Sequence, residues 1–196
     1  MSDEDRLRSW LFRSLMFEAD TDSFRKAGVR IGVDEREAEE QLLSESLDPF
    51  DLATRNDARR MSRIYAILFC FENSVRDLIR SRLSEQDQRW WDDSARVPTP
   101  VKGNAEDRKK KAEENSWLEG ATDDILGFVD FGGLTRIIIQ NWPDFEDLIP
   151  SQHWLRQRFD ELEQARNFVA HNRMLTAAEF ARLEMYVGDW NRQVGL

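Results

Sequence analysis

ARRMSRIYAILFCFENSVRDLIRSRL, residues 58–83, settles the class of fold. Met61, Ile64, Leu68, Phe71, Val75, Leu78 and Ile79 recur every three or four positions, the spacing that lines one face of an α-helix. One long amphipathic helix is therefore expected from about residue 56 to 83. Further stripes follow. Leu155, Phe159, Leu162 and Val169 mark another helix, and Phe180, Leu183, Tyr186, Val187 and Trp190 a last one, opened by the capping box T-A-A-E at Thr176–Glu179. With helical periodicity almost throughout, the expected class is all-α. Inside the first stripe Glu72 falls between Leu68 and Val75, where an unpaired carboxylate is expensive. It should meet a cation or a donor, Arg166 or an arginine of a second subunit; the alternative is that it sits at the edge of the arc and reaches water. Asn73, on the polar flank beside it, is a weaker candidate for the same site. Cys70, within AILFCF, reads as a core residue.

The second informative stretch is ARNFVAHNR, residues 165–173. Arginine, asparagine and histidine fall in the pattern R-N-x-x-A-H near the end of an apolar-striped helix. An imidazole takes or gives a proton near neutral pH, and a guanidinium grips phosphate through a fork of donors. These groups suffice to cut RNA without a metal, because RNA carries its own nucleophile in the 2′-hydroxyl. His171 is the candidate acid or base, Arg166 the phosphate ligand, and Asn167, one turn before His171, a group that orients the imidazole or touches the sugar. Arg166 and His171 lie roughly 140° apart around a continuous helix and so do not share a face. Either the helix ends near His171 or the two groups converge across an interface with a second copy. Set against this, a lone arginine on an amphipathic helix is commonly a solvated side chain, and a histidine near a helix end is commonly a cap.

Composition narrows the class. With 40% hydrophobic and 34% charged residues over 196 positions, the chain suits a globular domain with a real core rather than a disordered one. No apolar run approaches a membrane span, and MSDEDRLR is too acidic and polar for a signal peptide, so no membrane partner and a cytoplasmic location are expected. A single cysteine and two distant histidines leave no zinc site, and no cofactor is expected. The net charge of −10 argues against a general nucleic-acid binder. Distribution matters more than the sum: residues 1–55 carry fourteen acids and eight bases, whereas Arg59–Arg82 holds six arginines against two acids. Arg156, Arg158 and Arg173 accompany the motif as possible RNA contacts, which permits a local basic groove on an acidic body.

Between the two stretches the pattern is irregular. Trp90 and Trp91, followed by VPTPVKGN, read as packing residues and a loop; Asn104 is expected to cap a short charged helix through Ser116. The basic run Arg108–Lys111 reads first as a solvated face. Asp130–Gly132, DFG, has none of the other parts of a kinase. Gly132 and Gly133 are expected to form the turn into a helix Leu134–Asn141, and Pro143 and Pro150 to flank the approach to the motif helix. Before residue 56, Trp10, Leu11, Leu15 and Met16 suggest one helix, and Asp34 a cap for a second through Leu43.

Several separated blocks, in order, resemble a HEPN domain of the branch also found in a nuclear mRNA quality-control endonuclease: residues 58–83, RWW at 89–91, RKKKAEENSW at 108–117, DFGGLTRIIIQNWPDF at 130–145 and ELEQARNFVAHNRMLTAAEFARL at 161–183. The resemblance implies a HEPN helical bundle of four to five core helices plus insertions over residues 56–196, with residues 1–55 an acidic helical extension. It also implies a metal-independent endoribonuclease whose R-x(4-6)-H motif is completed in a homodimer, so that Arg166, Asn167 and His171 inherit the active-site roles. Relatives of this kind often serve as toxins or phage-defence effectors, with an antitoxin or neighbouring defence protein as partner. The alternative is a non-catalytic HEPN module that binds RNA, a nucleotide or a protein.

Overall fold

The computed structural model describes residues 32–114 and 124–195 and, ahead of them, only residues 12, 16 and 23. The described residues contain six α-helices that can be followed end to end and no strand: α1 Gly32–Leu47, α2 Leu52–Gln86, α3 Thr99–Glu114, α4 Phe131–Gln140, α5 Gln152–Ala170 and α6 Ala177–Val194. Short 3-10 turns lie at Trp90–Asp92, Ile125–Phe128 and Trp142–Asp144. The chain divides into two compact units, Met1–Asn56 and Asp57–Leu196. No helix among the described residues is long and apolar enough to cross a membrane.

The core of the second unit is built from the stripes read in the sequence. Phe71 of α2, Phe131 of α4, Phe159 of α5 and Trp190 of α6 bring four helices to one aromatic cluster; Phe71 lies 5.6 Å from Phe131, 5.3 Å from Phe159 and 5.6 Å from Trp190, centroid to centroid. Most of the contacts are edge-on or tilted, the arrangement that ring quadrupoles favour. The indole N–H of Trp190 donates to Ser74 Oγ at 3.0 Å, so the buried ring leaves no donor unpaired. Ile64, Leu68, Val75, Leu134, Ile138, Leu155 and Leu162 close the shell around it.

Local chemistry sets where the helices begin. Ser151 caps α5 by accepting from Trp154 N at 3.1 Å, and Thr176 with Glu179 forms the expected capping box ahead of α6. Hydrogen bonds from the Thr176 N–H and hydroxyl hold the Glu179 carboxyl below the usual carboxylate range. Asp130 caps α4 from Gly133 N at 2.8 Å and takes Arg108 of α3 at 2.6 Å. Burial raises its pKa, yet these two hydrogen bonds outweigh that and leave it lowered, so the cap's stability is present above the ordinary carboxylate range and is lost as pH falls through the lowered value.

Four expectations are corrected. Gly132 and Gly133 lie inside the first turn of α4, not in a turn before it, because Asp130 starts the helix earlier. Asn104 does not cap α3: the helix begins at Thr99, with Pro100 tolerated in the first turn, where its missing N–H is no loss; Ser116 lies outside the described residues. Cys70 is exposed, since the continuous apolar run 66–71 turns through more than one face; Leu68 and Phe71 are buried and Ile67 packs against the core in part. Asp34 falls within α1, which starts at Gly32 and runs to Leu47. The helix suggested around Trp10 lies outside the described residues except at Met16, which is exposed. Trp90 is buried and meets Trp91 edge-on at 5.7 Å, so the tryptophan pair serves packing.

Gly133 has a steric reason to be glycine: a Cβ there would stand 2.7 Å from Val129 Cγ1 and 2.8 Å from Asp130 Oδ1, the capping oxygen itself. At Gly132 a Cβ would meet only the Glu163 carboxylate, at 3.4 Å. Gly133→Ala is therefore expected to cost about 1–3 kcal/mol in chemical denaturation, whereas Gly132→Ala, which gains helix propensity, should stay within about 1 kcal/mol of wild type. Equal stability of the two variants would contradict this account of α4.

Candidate functional site

The motif sits where α5 stops. Asn172 N donates to Val169 O at 2.9 Å and Arg173 N to Phe168 O at 3.2 Å, the paired bonds of a Schellman termination. Asn172 carries φ 57°, the one positive φ on a non-glycine among the described residues, and asparagine tolerates that conformation better than most side chains. His171 is thus the C-cap, its ring exposed beyond the last turn. Of the two geometries left open by the spacing, the helix end is the one observed in the single chain.

Arg166 continues the stripe of Leu155, Phe159 and Leu162, but its side chain is 49% exposed. Its Nη1 reaches Asn167 Oδ1 at 3.4 Å, and its Nε lies 3.9 Å from Glu72 Oε2. Glu72 is only 13% exposed, and its nearer cation is Arg76, with Oε1 2.5 Å from Arg76 Nη2. Arg76 in turn donates from Nε to Leu126 O at 3.0 Å and from Nη1 to Asn73 Oδ1 at 3.3 Å. Glu72 therefore has its cationic partner, and the chain Asn73–Arg76–Glu72–Arg166 links α2 to the motif. Glu72 and Asn73 belong to this support; Asn73 also donates to Phe69 O at 2.9 Å, within its own helix.

The accompanying arginines separate. Arg173 lies over the Phe168 ring, 5.5 Å from its centroid, next to the motif turn. Arg158 is held by Asp189 at 3.0 Å and packs on Trp154 at 4.4 Å and Tyr186 at 5.4 Å, which ties α5 to α6 and occupies its guanidinium. Arg156 lines a depression between α4 and α5 with Arg136, Asp160 and Glu163, roughly 15 Å along α5 from Arg166. The structure gathers Arg166, Asn167, His171 and Arg173 at one end of α5 and leaves Arg156 and Arg158 elsewhere. Two contributors were not singled out in the sequence. Arg76 is signalled by E-x-x-x-R, the helical spacing of an ion pair, and Asn172 by its place just past a helix end. No three His, Cys, Asp or Glu side chains gather among the described residues as a metal site requires.

A pair this little exposed should be felt in stability. Arg76→Ala removes the close partner of a nearly buried carboxylate and is expected to cost about 2–4 kcal/mol in urea denaturation. The double variant with Glu72→Ala should lose less than the sum of the singles, by about 1 kcal/mol or more. Additive losses would show that the two side chains act independently.

Residues 48–187 match the family of SAV2148-like HEPN domains, which spans α2 to most of α6 and includes the whole motif. No curated protein and no solved structure matches at a significant level.

Proposed function

Since the chain belongs to the SAV2148-like HEPN domain family, we propose that it is a metal-independent endoribonuclease acting at the Arg166–His171 end of α5. The observation that carries this reading is the exposure of His171 at the C-terminus of α5, with Arg166 half exposed in the preceding turns and braced by Glu72. In the reaction, a base draws the proton from the RNA 2′-hydroxyl and its oxygen attacks the neighbouring phosphorus. The P–O5′ bond breaks, leaving a 2′,3′-cyclic phosphate, and an acid protonates the departing 5′ oxygen. His171 serves one of the two proton transfers, Arg166 stabilises charge on the phosphoryl oxygens, and Asn167 orients. Arg173 is the nearby cation for the strand.

A second copy supplies the other proton-transfer group. Tyr65 and Phe69, 62% and 56% exposed, project from α2 within two turns of Glu72, their rings 6.2 Å apart. Exposed aromatics this close to the motif support a two-fold homodimer formed across this face, with two copies of Arg166 and His171 in one cleft. The expected setting is the cytoplasm, as a toxin or phage-defence effector restrained by an antitoxin or a neighbouring defence protein. The rival reading, a non-catalytic HEPN module that binds RNA, a nucleotide or a protein, draws support from the Glu72 contact, which partly neutralises the cation meant for phosphate.

RNA incubated with pure protein in EDTA should yield 2′,3′-cyclic phosphate ends. His171→Ala and Arg166→Ala should each slow cleavage by about a hundredfold or more while remaining folded, with Asn167→Ala milder. Wild-type cleavage by His171→Ala protein would transfer the assignment to the binding module. For the dimer, Phe69→Glu is expected to give monomers in sedimentation and to abolish cleavage without loss of helicity. A wild-type chain that sediments as a monomer at micromolar concentration refutes the shared cleft.

A further inference from the structure

A cavity of about 480 Å³ opens between α5 and α6, on the side of α5 turned away from Arg166. That volume lies in the range of small-ligand pockets. Leu162 and Leu183, both buried, form the floor, and Ala165, Phe168 and Leu175 add apolar wall. Most polar groups of the lining are already committed. Arg182 donates from Nη2 to Glu161 Oε1 at 2.9 Å and from Nε to the Tyr186 hydroxyl at 2.9 Å, and that hydroxyl donates to Glu161 Oε2 at 3.0 Å. This closed triangle uses both oxygens of Glu161 and holds the guanidinium. Glu179 differs: Oε2 accepts from Thr176 N at 2.7 Å and Thr176 Oγ1 at 2.8 Å, whereas Oε1 has no hydrogen bond among the described residues. The bonds from Thr176 also lower the pKa of this carboxyl, so it stays ionised near neutral pH.

That lining defines a complement. Two carboxylates against one guanidinium leave it one charge negative, which disfavours an anion. With a single carboxylate oxygen free, a ligand bearing an array of donors gains little over one that bears a single donor. The matching ligand therefore has a hydrocarbon body for the floor and walls and one cationic N–H group for Glu179 Oε1. An ammonium suits that oxygen better than a hydroxyl does, because charge strengthens the hydrogen bond. Glu179 is exposed, so the advantage is the modest one of an ion pair that water reaches. Arg173 already lies over the Phe168 ring, which makes this residue part of the wall rather than a plate for stacking.

We propose that the α5–α6 cavity binds a small amphipathic amine, with its ammonium on Glu179 Oε1 and its hydrocarbon between Leu162, Ala165, Phe168 and Leu175. The site stands apart from the chemistry assigned to Arg166 and His171, and its occupancy is read without RNA. Leu175 and the Thr176–Glu179 capping box follow directly on the turn that carries His171, so a bound amine touches the segment that ties that turn to α6.

Calorimetric titration of the full chain with 4-phenylbutylamine, 4-phenylbutanol and 4-phenylbutyrate compares ligands of one shape and three charges. The amine should saturate a single site and bind at least about threefold more tightly than the alcohol, with the carboxylate weakest. Glu179→Gln keeps an oxygen for the cap and removes the charge; it should bring the amine to the level of the alcohol and leave the alcohol unchanged. Ala165→Leu fills the cavity with a good helix former and should weaken amine and alcohol alike by about tenfold, with helicity retained. Equal affinity of the wild type for amine and alcohol, discrimination that survives Glu179→Gln, or binding untouched by Ala165→Leu overturns the site. Tightest binding of the carboxylate also overturns it and assigns the cavity to anions through Arg182. So does the absence of saturable binding by all three at millimolar concentration, a result that needs no variant to be folded.

Discussion

The aromatic junction of Phe71, Phe131, Phe159 and Trp190 is the constraint on which the rest of the second unit depends. Each ring comes from a different helix, so their contacts fix the rotation of α2, α4, α5 and α6 about their own axes at once. Rotation of α5 is what decides which motif residues face outward. With Phe159 and Leu162 inward, the same stripe, carried one turn further, places Arg166 toward α2 and Glu72, and puts Phe168 on the α6 side, where α5 and α6 line a cavity. Burial of these rings, each of large apolar area, also supplies much of the driving force for the bundle.

The α5–α6 connection converts that rotation into a site. A Schellman stop at Asn172 and a capping box at Thr176 leave few residues between two helices, and Leu175 between them is buried, its carbonyl accepting from Arg60 Nη2 at 2.9 Å. His171 is therefore exposed on a turn that is tied at both ends. Such a combination, exposed yet held in one place by backbone hydrogen bonds on either side, is what the proposed acid–base role requires of the imidazole.

Much of this was legible in the sequence, for physical reasons that also explain the misses. Periodicity gave α2, α5 and α6 because those helices bury one face only, and Thr176–Glu179 is a signature that acts through two reciprocal hydrogen bonds. Glu72 was legible because charge inside an apolar arc demands a partner; that the nearer partner is Arg76 depends on side-chain conformations that spacing alone permits without choosing. Cys70 was misplaced because a run apolar on every side hides which residues point inward. Gly133 reads as a turn in the sequence because its role is contact with Val129 and Asp130, and contact is invisible to a local pattern. The separation of Arg156 and Arg158 from the motif was likewise out of reach, since Arg158 is claimed by Asp189, far along the chain.

The electrostatics of Arg166 follow from where the core stripe runs out. A cation on a core-facing line would ordinarily be costly, but here its side chain is half exposed and its carboxylate neighbour lies at 3.9 Å, beyond good hydrogen-bond distance. A contact of that kind is worth at most about 1 kcal/mol. Arg76, at 2.5 Å from the same carboxyl group and largely shielded from water, is the partner that settles the Glu72 charge. Glu72 can thus hold the Arg166 guanidinium in place without occupying it, since an arriving phosphate offers shorter, charge-assisted bonds to the same fork. Under the proposed reading the acidic body works in the same direction, since a net charge of −10 discourages polyanions at large.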